Sequence, residues 1–296
     1  MSTINKPMQL QIHIVALLFV FPVAAYADAD TRLTYGSGPD GYHSYAFKAN
    51  ADIVKTVELN LDYFFAQATG VANTREIGAG LTWYATELAS GNYRYSVIND
   101  GTFEVKGNEG GLSFALDTLW QGELRTSLDL GYGAFKYKIA NPQTIAASNF
   151  ERTQNRSSFG LSQDLASSFT VYGSHDKYKY DKNIDASILL LLRNRPLLLS
   201  RTLALLAFPD KTNTLGMTWK TTDALSIDLS SAKTTTLLEQ EQKSIKLAVD
   251  YRMGDSLSIA AAVTRVNNSA IIRPNGVIGQ PATQDTYSEF SVGWGF

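Results

Sequence analysis

Residues Phe290-Ser291-Val292-Gly293-Trp294-Gly295-Phe296 set large apolar side chains and small residues in strict alternation. Successive side chains of an extended strand point to opposite faces, so Phe290, Val292, Trp294 and Phe296 share one face while Ser291, Gly293 and Gly295 share the other. A period of two, rather than the three-to-four spacing of an amphipathic helix, reads as a strand with one apolar face.

Outward from that segment, the same period covers most of the chain. Val57, Leu59, Leu61, Tyr63 and Phe65 oppose Glu58, Asn60 and Asp62. Leu225, Ile227 and Leu229 oppose Ser226, Asp228 and Ser230, and Ile245, Leu247, Val249 and Tyr251 oppose Lys246, Asp250 and Arg252. Leu124, Leu128, Leu130 and Tyr132 separate in the same way from Arg125, Ser127, Asp129 and Gly131. The first half reads as strands at roughly 30–37, 42–51, 56–67, 74–87, 92–105, 109–120 and 123–138. The second half reads as strands at roughly 151–163, 168–178, 211–221, 224–234, 241–252, 256–267 and 284–296. About fourteen strands result, with 12 or 16 as the alternatives that keep an even count. One set of links is short, at Asp52–Lys55, Gln121-Gly122, Thr222-Asp223 and Gly254-Asp255, whereas the other contains long ones at Ala140–Phe150, Lys179–Asp210 and Asn268–Thr283. The segment Thr222-Asp223-Ala224-Leu225-Ser226-Ile227 weakly repeats as Gly254-Asp255-Ser256-Leu257-Ser258-Ile259, as duplication of one hairpin unit would leave it.

With its aromatic-ended last strand Phe290–Phe296, the chain resembles the outer-membrane β-barrel proteins of Gram-negative bacteria, a porin-like superfamily. The resemblance implies that this strand, through Phe290, Val292, Trp294 and Phe296, is the signal read by the barrel-assembly machinery. Short turns on one side and long loops on the other fit periplasmic turns and outer loops. The expected fold is all-β: a closed antiparallel transmembrane β-barrel, since strands cross hydrocarbon only where closure leaves no unpaired edge. The apolar faces then meet outer-membrane lipid, and Trp83, Tyr93, Trp120, Trp219, Tyr251 and Trp294 fit the interfacial aromatic girdles.

The N-terminus fits export. Lys6 precedes an apolar run from Ile12 to Val23 that ends in Ala25-Tyr26-Ala27, the small-x-small pattern of a cleavable signal peptide. Residues 1–27 are therefore read as a signal peptide and 28–296 as the barrel. Without Lys6 the chain keeps 25 basic against 28 acidic residues, and the whole chain is at −2, a balance that offers nucleic acid no bulk attraction. Cys 0 removes disulfides, thiolate zinc sites and thiol nucleophiles. Mean hydropathy of −0.12 is too polar for a bundle of membrane helices.

If the polar faces line a lumen, the pore-lining candidates are Arg32, Lys48, Glu58, Asp62, Arg94, Arg125, Asp129, Lys220, Asp228, Lys246, Asp250, Arg252 and Glu289, joined by Asp117 and Arg156. About fourteen strands enclose more volume than side chains fill. The expected function is a porin-like channel for passive diffusion of small hydrophilic solutes or ions. The alternative is a surface structural or binding barrel with a closed lumen. The long loop at 179–210 interrupts the alternation with leucines between Ala186 and Phe208, broken by Arg193, Arg195, Pro196 and Arg201. It reads as an inward or helical loop or a further hairpin, and Arg193, Arg195 and Arg201 are candidates for a constriction. No enzyme, cofactor or metal is expected. His43-Ser44 and Ser174-His175 are adjacent in strands, so neither pair can form a Ser–His hydrogen bond. The solute and the oligomeric state are not legible.

Overall fold

The computed structural model describes residues 28–117, 124–140, 151–181, 208–237, 239–254, 256–272 and 278–295. The expected signal peptide, Trp120, Phe296 and the loop arginines Arg193, Arg195 and Arg201 lie outside the described residues.

The chain folds as a closed antiparallel barrel of fourteen strands. Its first half supplies β1 (Ala29–Ser37), β2 (His43–Val54), β3 (Val57–Ala68), β4 (Val71–Thr86), β5 (Ala89–Asn99), β6 (Phe103–Ala115) and β7 (Thr126–Ile139). Then follow β8 (Glu151–Ala166), β9 (Phe169–Tyr180), β10 (Pro209–Lys220), β11 (Leu225–Thr236), β12 (Glu241–Met253) and β13 (Leu257–Asn268). A short pair outside the barrel, β14 (Ile271–Ile272) and β15 (Ile278–Gln280), precedes the last strand, β16 (Thr283–Gly295). Each barrel strand pairs with its predecessor, and β16 sits between β13 and β1, with Leu33 opposite Val292. Closure leaves no row of unpaired amides.

Alternation decides which side chains face outward. Leu61, Ile77, Leu81, Leu112, Leu130, Phe159, Leu161, Leu215, Leu247 and Phe290 are all exposed on the outer surface. A continuous apolar girdle of this kind is stable only against hydrocarbon, so the fold is that of a membrane-spanning barrel. Trp83, Tyr93, Trp219 and Tyr251 are exposed as well.

Both described ends of the chain lie at one end of the barrel, the terminus end, where β3 follows β2, β5 follows β4 and β9 follows β8 through short turns. The opposite end, the loop end, carries the links at 140–150, 181–208 and 269–282. Two expectations need correction. The break between the fifth and sixth strands falls at Asp100-Gly101-Thr102, not at 106–108. Asp100 accepts from the backbone N–H of Thr102 at 2.8 Å and of Phe103 at 2.6 Å, and Gly101 takes φ +77°, the left-handed geometry a turn needs. Gly107 stays inside β6. Secondly, β6 ends at Ala115 and β7 begins at Thr126, so the link there is longer than Gln121-Gly122, and Asp117 lies in the link rather than on a strand.

Candidate functional site

The inner face of the barrel gathers the polar positions of every strand. Register places Arg32, Lys48, Glu58, Asp62, Arg94, Asp129, Lys220, Asp228, Lys246, Asp250, Arg252 and Glu289 on the face opposite the exposed leucines. Arg125 stands just before β7 at the terminus end, exposed, and its carbonyl accepts from the Asp164 N–H at 2.8 Å.

Two groups of charge form on this wall, and both depend on glycine. On β3 to β9, Arg94 of β5 binds Asp62 of β3, Glu76 of β4 at 2.6 Å and Glu109 of β6 at 3.5 Å. Arg156 of β8 binds Glu109 at 3.1 Å and approaches Asp176 of β9 at 3.9 Å. Arg94 lies across Gly78, and Arg156 reaches Glu109 past Gly133, its own register partner and that of Glu109. Glu76 and Glu109 are nearly buried, and such carboxylates stay charged only with cations on them. The alternation shows which charges face inward, but it does not show this network.

Across β12, β13, β16, β1 and β2, one rung of register partners reads Arg252, Ser258, Gly293, Arg32, Lys48. Arg32 extends over Gly293 and donates from Nη2 to Asp250 at 3.1 Å and to the Ser258 hydroxyl at 3.5 Å. Two guanidinium side chains thus share the neighbourhood of Ser258 with one carboxylate. Higher up, Lys246 binds Glu289 at 2.7 Å. Among the described residues, Lys48 and Arg252 make no ion pair.

Three further carboxylates, on β7, β8 and β11, are held by hydroxyls. Ser113 donates to Asp129 at 2.5 Å, Thr170 to Asp164 at 2.6 Å, and Tyr172 and Thr218 each to Asp228 at 2.9 Å. None of the three pairs with a cation among the described residues. The wall encloses a cavity of about 730 Å³ at mid-barrel, lined by Asp62, Glu76, Arg94, Lys246 and Glu289 among others. A second, of about 570 Å³, lies at the terminus end and is lined by Asp30, Asp250, Arg252 and Ser258 among others. Arg32, Lys48 and Asn50 line both, so the two adjoin at these residues.

Toward the loop end the inner face changes character. Ile98, Phe103, Val105, Phe135, Tyr137, Tyr178 and Phe208 form a buried apolar cluster, with Phe208 edge-on to Phe103 and tilted against Tyr137 and Tyr180. On the other side, Tyr42, Ala66, Val266 and Tyr287 form a second one. Tyr42, in the link before β2, meets Tyr287 edge-on at 5.3 Å. Burial pushes its phenol up to about 12, with Glu289 adding to the rise and the Ser44 hydrogen bond opposing it. Sequence reasoning missed these inward aromatics. The signal is a reversal within a strand: on β7 the outer face runs Leu130, Tyr132, Ala134, Lys136, Lys138, while the inner face runs Asp129, Gly131, Gly133, Phe135, Tyr137.

The two histidines of the described chain are outward. His43 Nδ1 is 3.0 Å from the Tyr35 hydroxyl and His175 Nδ1 is 2.7 Å from Asn213 Oδ1, while Ser44 and Ser174 take the opposite face.

No family model and no curated protein matches the chain. Solved structures similar to it include an anion-selective porin from Comamonas acidovorans, at 11% identity and TM-score 0.44, covering 91% of this chain and 98% of that one. OpdL of Pseudomonas aeruginosa is similar at 11% identity and TM-score 0.45, over 91% and 98% of the two chains. The outer membrane channel DcaP of Acinetobacter baumannii is similar at 7% identity and TM-score 0.44, over 91% and 96%.

Proposed function

We propose that this chain is an outer-membrane channel through which small hydrophilic solutes or ions diffuse passively. The observation that carries this reading is the pair of adjoining cavities along the charged inner wall, reaching from Glu76 and Glu289 at mid-barrel to Arg252 at the terminus end. Fourteen strands make a ring too wide for side chains to fill when the inner residues are small. Here Gly78, Gly80, Gly131, Gly216 and Gly293 occupy inner positions, and the arginines lie along the wall rather than across the lumen.

In this reading residues 1–27 direct export, the termini face the periplasm, and the apolar girdle sits in outer-membrane lipid. The last strand, with Phe290, Val292 and Trp294 on its outer face, is the segment offered to the barrel-assembly machinery. The pore-lining residues act as a charged, hydrated wall with no covalent chemistry. The test is single-channel recording of the refolded barrel in planar bilayers. Discrete open steps are the expected result, and a folded, heat-modifiable barrel that stays electrically silent would overturn the channel in favour of a closed structural barrel.

A further inference from the structure

We propose that the terminus end of the lumen holds a binding site for a phosphate group, built from Arg32, Arg252 and Ser258 over the bare backbone of Gly293. The site belongs to the cavity wall and does not require the lumen to conduct.

The four residues come from four strands, and register sets them side by side. Arg252 of β12 lies opposite Ser258 of β13, Ser258 opposite Gly293 of β16, and Gly293 opposite Arg32 of β1. Arg32 donates to Asp250 at 3.1 Å and to the Ser258 hydroxyl at 3.5 Å, both from Nη2, which leaves Nε and Nη1 as donors. The hydroxyl accepts from Arg32 and keeps its own proton to give. Arg252 has no ion-pair partner among the described residues. The floor between these groups is Gly293, where a Cβ would come within 2.7 Å of Ser258 Oγ and 3.4 Å of Arg32 Nε. The place that a side chain would fill is open, in a cavity of about 570 Å³.

The charge around this place is unbalanced. Lys48, the next residue along the rung, lies directly opposite Arg32, and like charges facing each other on neighbouring strands cost stability. On its other side Lys48 faces Asp62, whose two oxygens are both bound by Arg94. Asp30 and Asp250 are the carboxylates that line the cavity, so three cations face two acids. An anion seated over Gly293 relieves the repulsion. Its shape follows from the donors: two guanidiniums and a hydroxyl approach from three strands, and a tetrahedral phosphate offers each of them an oxygen, whereas a carboxylate has two oxygens for three donors. At the loop end the inner positions on β6 and β7 are Phe103, Val105, Phe135 and Tyr137, which offer no such donors.

The experiment is isothermal titration calorimetry of the refolded full barrel in detergent, at constant low ionic strength, with inorganic phosphate, glycerol 3-phosphate and acetate. One phosphate site per barrel is expected, with acetate about tenfold weaker. R252Q should weaken phosphate by about tenfold, the worth of a charged hydrogen bond, and G293V, which fills the floor, should abolish binding. K136Q, which removes an outward charge, should leave the affinity unchanged. Binding of both phosphates assigns the site to phosphate-bearing solutes, and binding of inorganic phosphate alone assigns it to the free ion. Acetate binding as tightly as phosphate, an unchanged affinity in folded R252Q, or an equal loss in K136Q and R252Q would each overturn the site. Calorimetry reads the site in a silent barrel as well as in an open one, so its failure is separable from failure of the channel reading.

Discussion

Arg94 crosses Gly78 to bind Asp62 on the strand beyond, its Nε donating to Oδ1 at 2.8 Å. A methyl group on Gly78 would collide with the Arg94 Nη2 and stand 2.6 Å from Asp62 Oδ1. The same construction recurs where Arg32 passes Gly293 to reach Asp250 and where Arg156 passes Gly133 to reach Glu109. A long cation that passes over a glycine to an acid one or two strands further on lies along the wall and neutralises part of it.

Gly78→Val should therefore lift Arg94 off the wall into the lumen. Single-channel conductance is expected to fall and stability to drop by about 1 to 3 kcal/mol, the worth of a charged hydrogen bond left partly unmade. The double variant with Arg94→Ala should recover the conductance. Loss of conductance that Arg94→Ala leaves unrelieved would mean that Gly78 acts on the backbone rather than through the arginine.

The two faces should respond differently to charge. Leu247 is exposed on the girdle, and Leu247→Arg should destabilise the barrel by roughly 2 to 4 kcal/mol if it lies near the bilayer midplane. Lys246→Gln, one residue away on the inner face, breaks the bond to Glu289 and should alter ion selectivity with little change in folding. Urea titration in liposomes measures both. Equal costs for the two variants would contradict the face assignment.

Strand positions were legible because the girdle imposes a strict period: every inner and outer residue around Leu61, Leu130, Ile227 and Leu247 follows from alternation alone. The Asp100-Gly101-Thr102 turn was missed because Tyr95, Val97 and Val105 carry the same parity through it, although Asp-Gly is itself a turn signal. The ion network was not legible at all. That Asp62, Glu76 and Glu109 all meet Arg94 depends on register and barrel stagger, which bring residues of different strands together without any local pattern. Nor does a fixed assignment of faces survive where the strands leave the bilayer. Beyond the hydrocarbon, water bathes the outer surface, so Lys136 and Lys138 turn outward and Phe135 and Tyr137 turn in.

That reversal predicts an unusual stability map for a barrel with a polar mid-lumen. Phe135 is fully buried in the inner cluster, so Phe135→Ala should cost about 3 to 5 kcal/mol in an unfolding titration. Leu130→Ala, on the lipid side of the same strand, should cost much less, because lipid fills the space that a rigid core cannot. A cost for Phe135→Ala as small as that for Leu130→Ala would mean that the inner aromatics bear on water rather than on one another.

The last prediction concerns ion selectivity. Lys48 and Arg252 stand at the two ends of one rung over β2, β1, β16, β13 and β12, while Asp129 and Asp164 lie on β7 and β8, and β8 is half way round the ring from β1. None of the four has an ion-pair partner among the described residues, so each projects its field into the lumen. Screening over about 8 Å at physiological salt confines each field to the solution near its own wall. Anions should therefore pass along the β1 side and cations along the β7 side, with the balance set by which wall is stronger. Lys48→Gln with Arg252→Gln should move the reversal potential toward cations, by about twofold or more in permeability ratio at low salt and less at high salt. Asp129→Asn with Asp164→Asn should move it the opposite way. Two double variants that shift the potential in the same direction, or that leave it unmoved at low salt in an open channel, would show that permeating ions do not sense these walls.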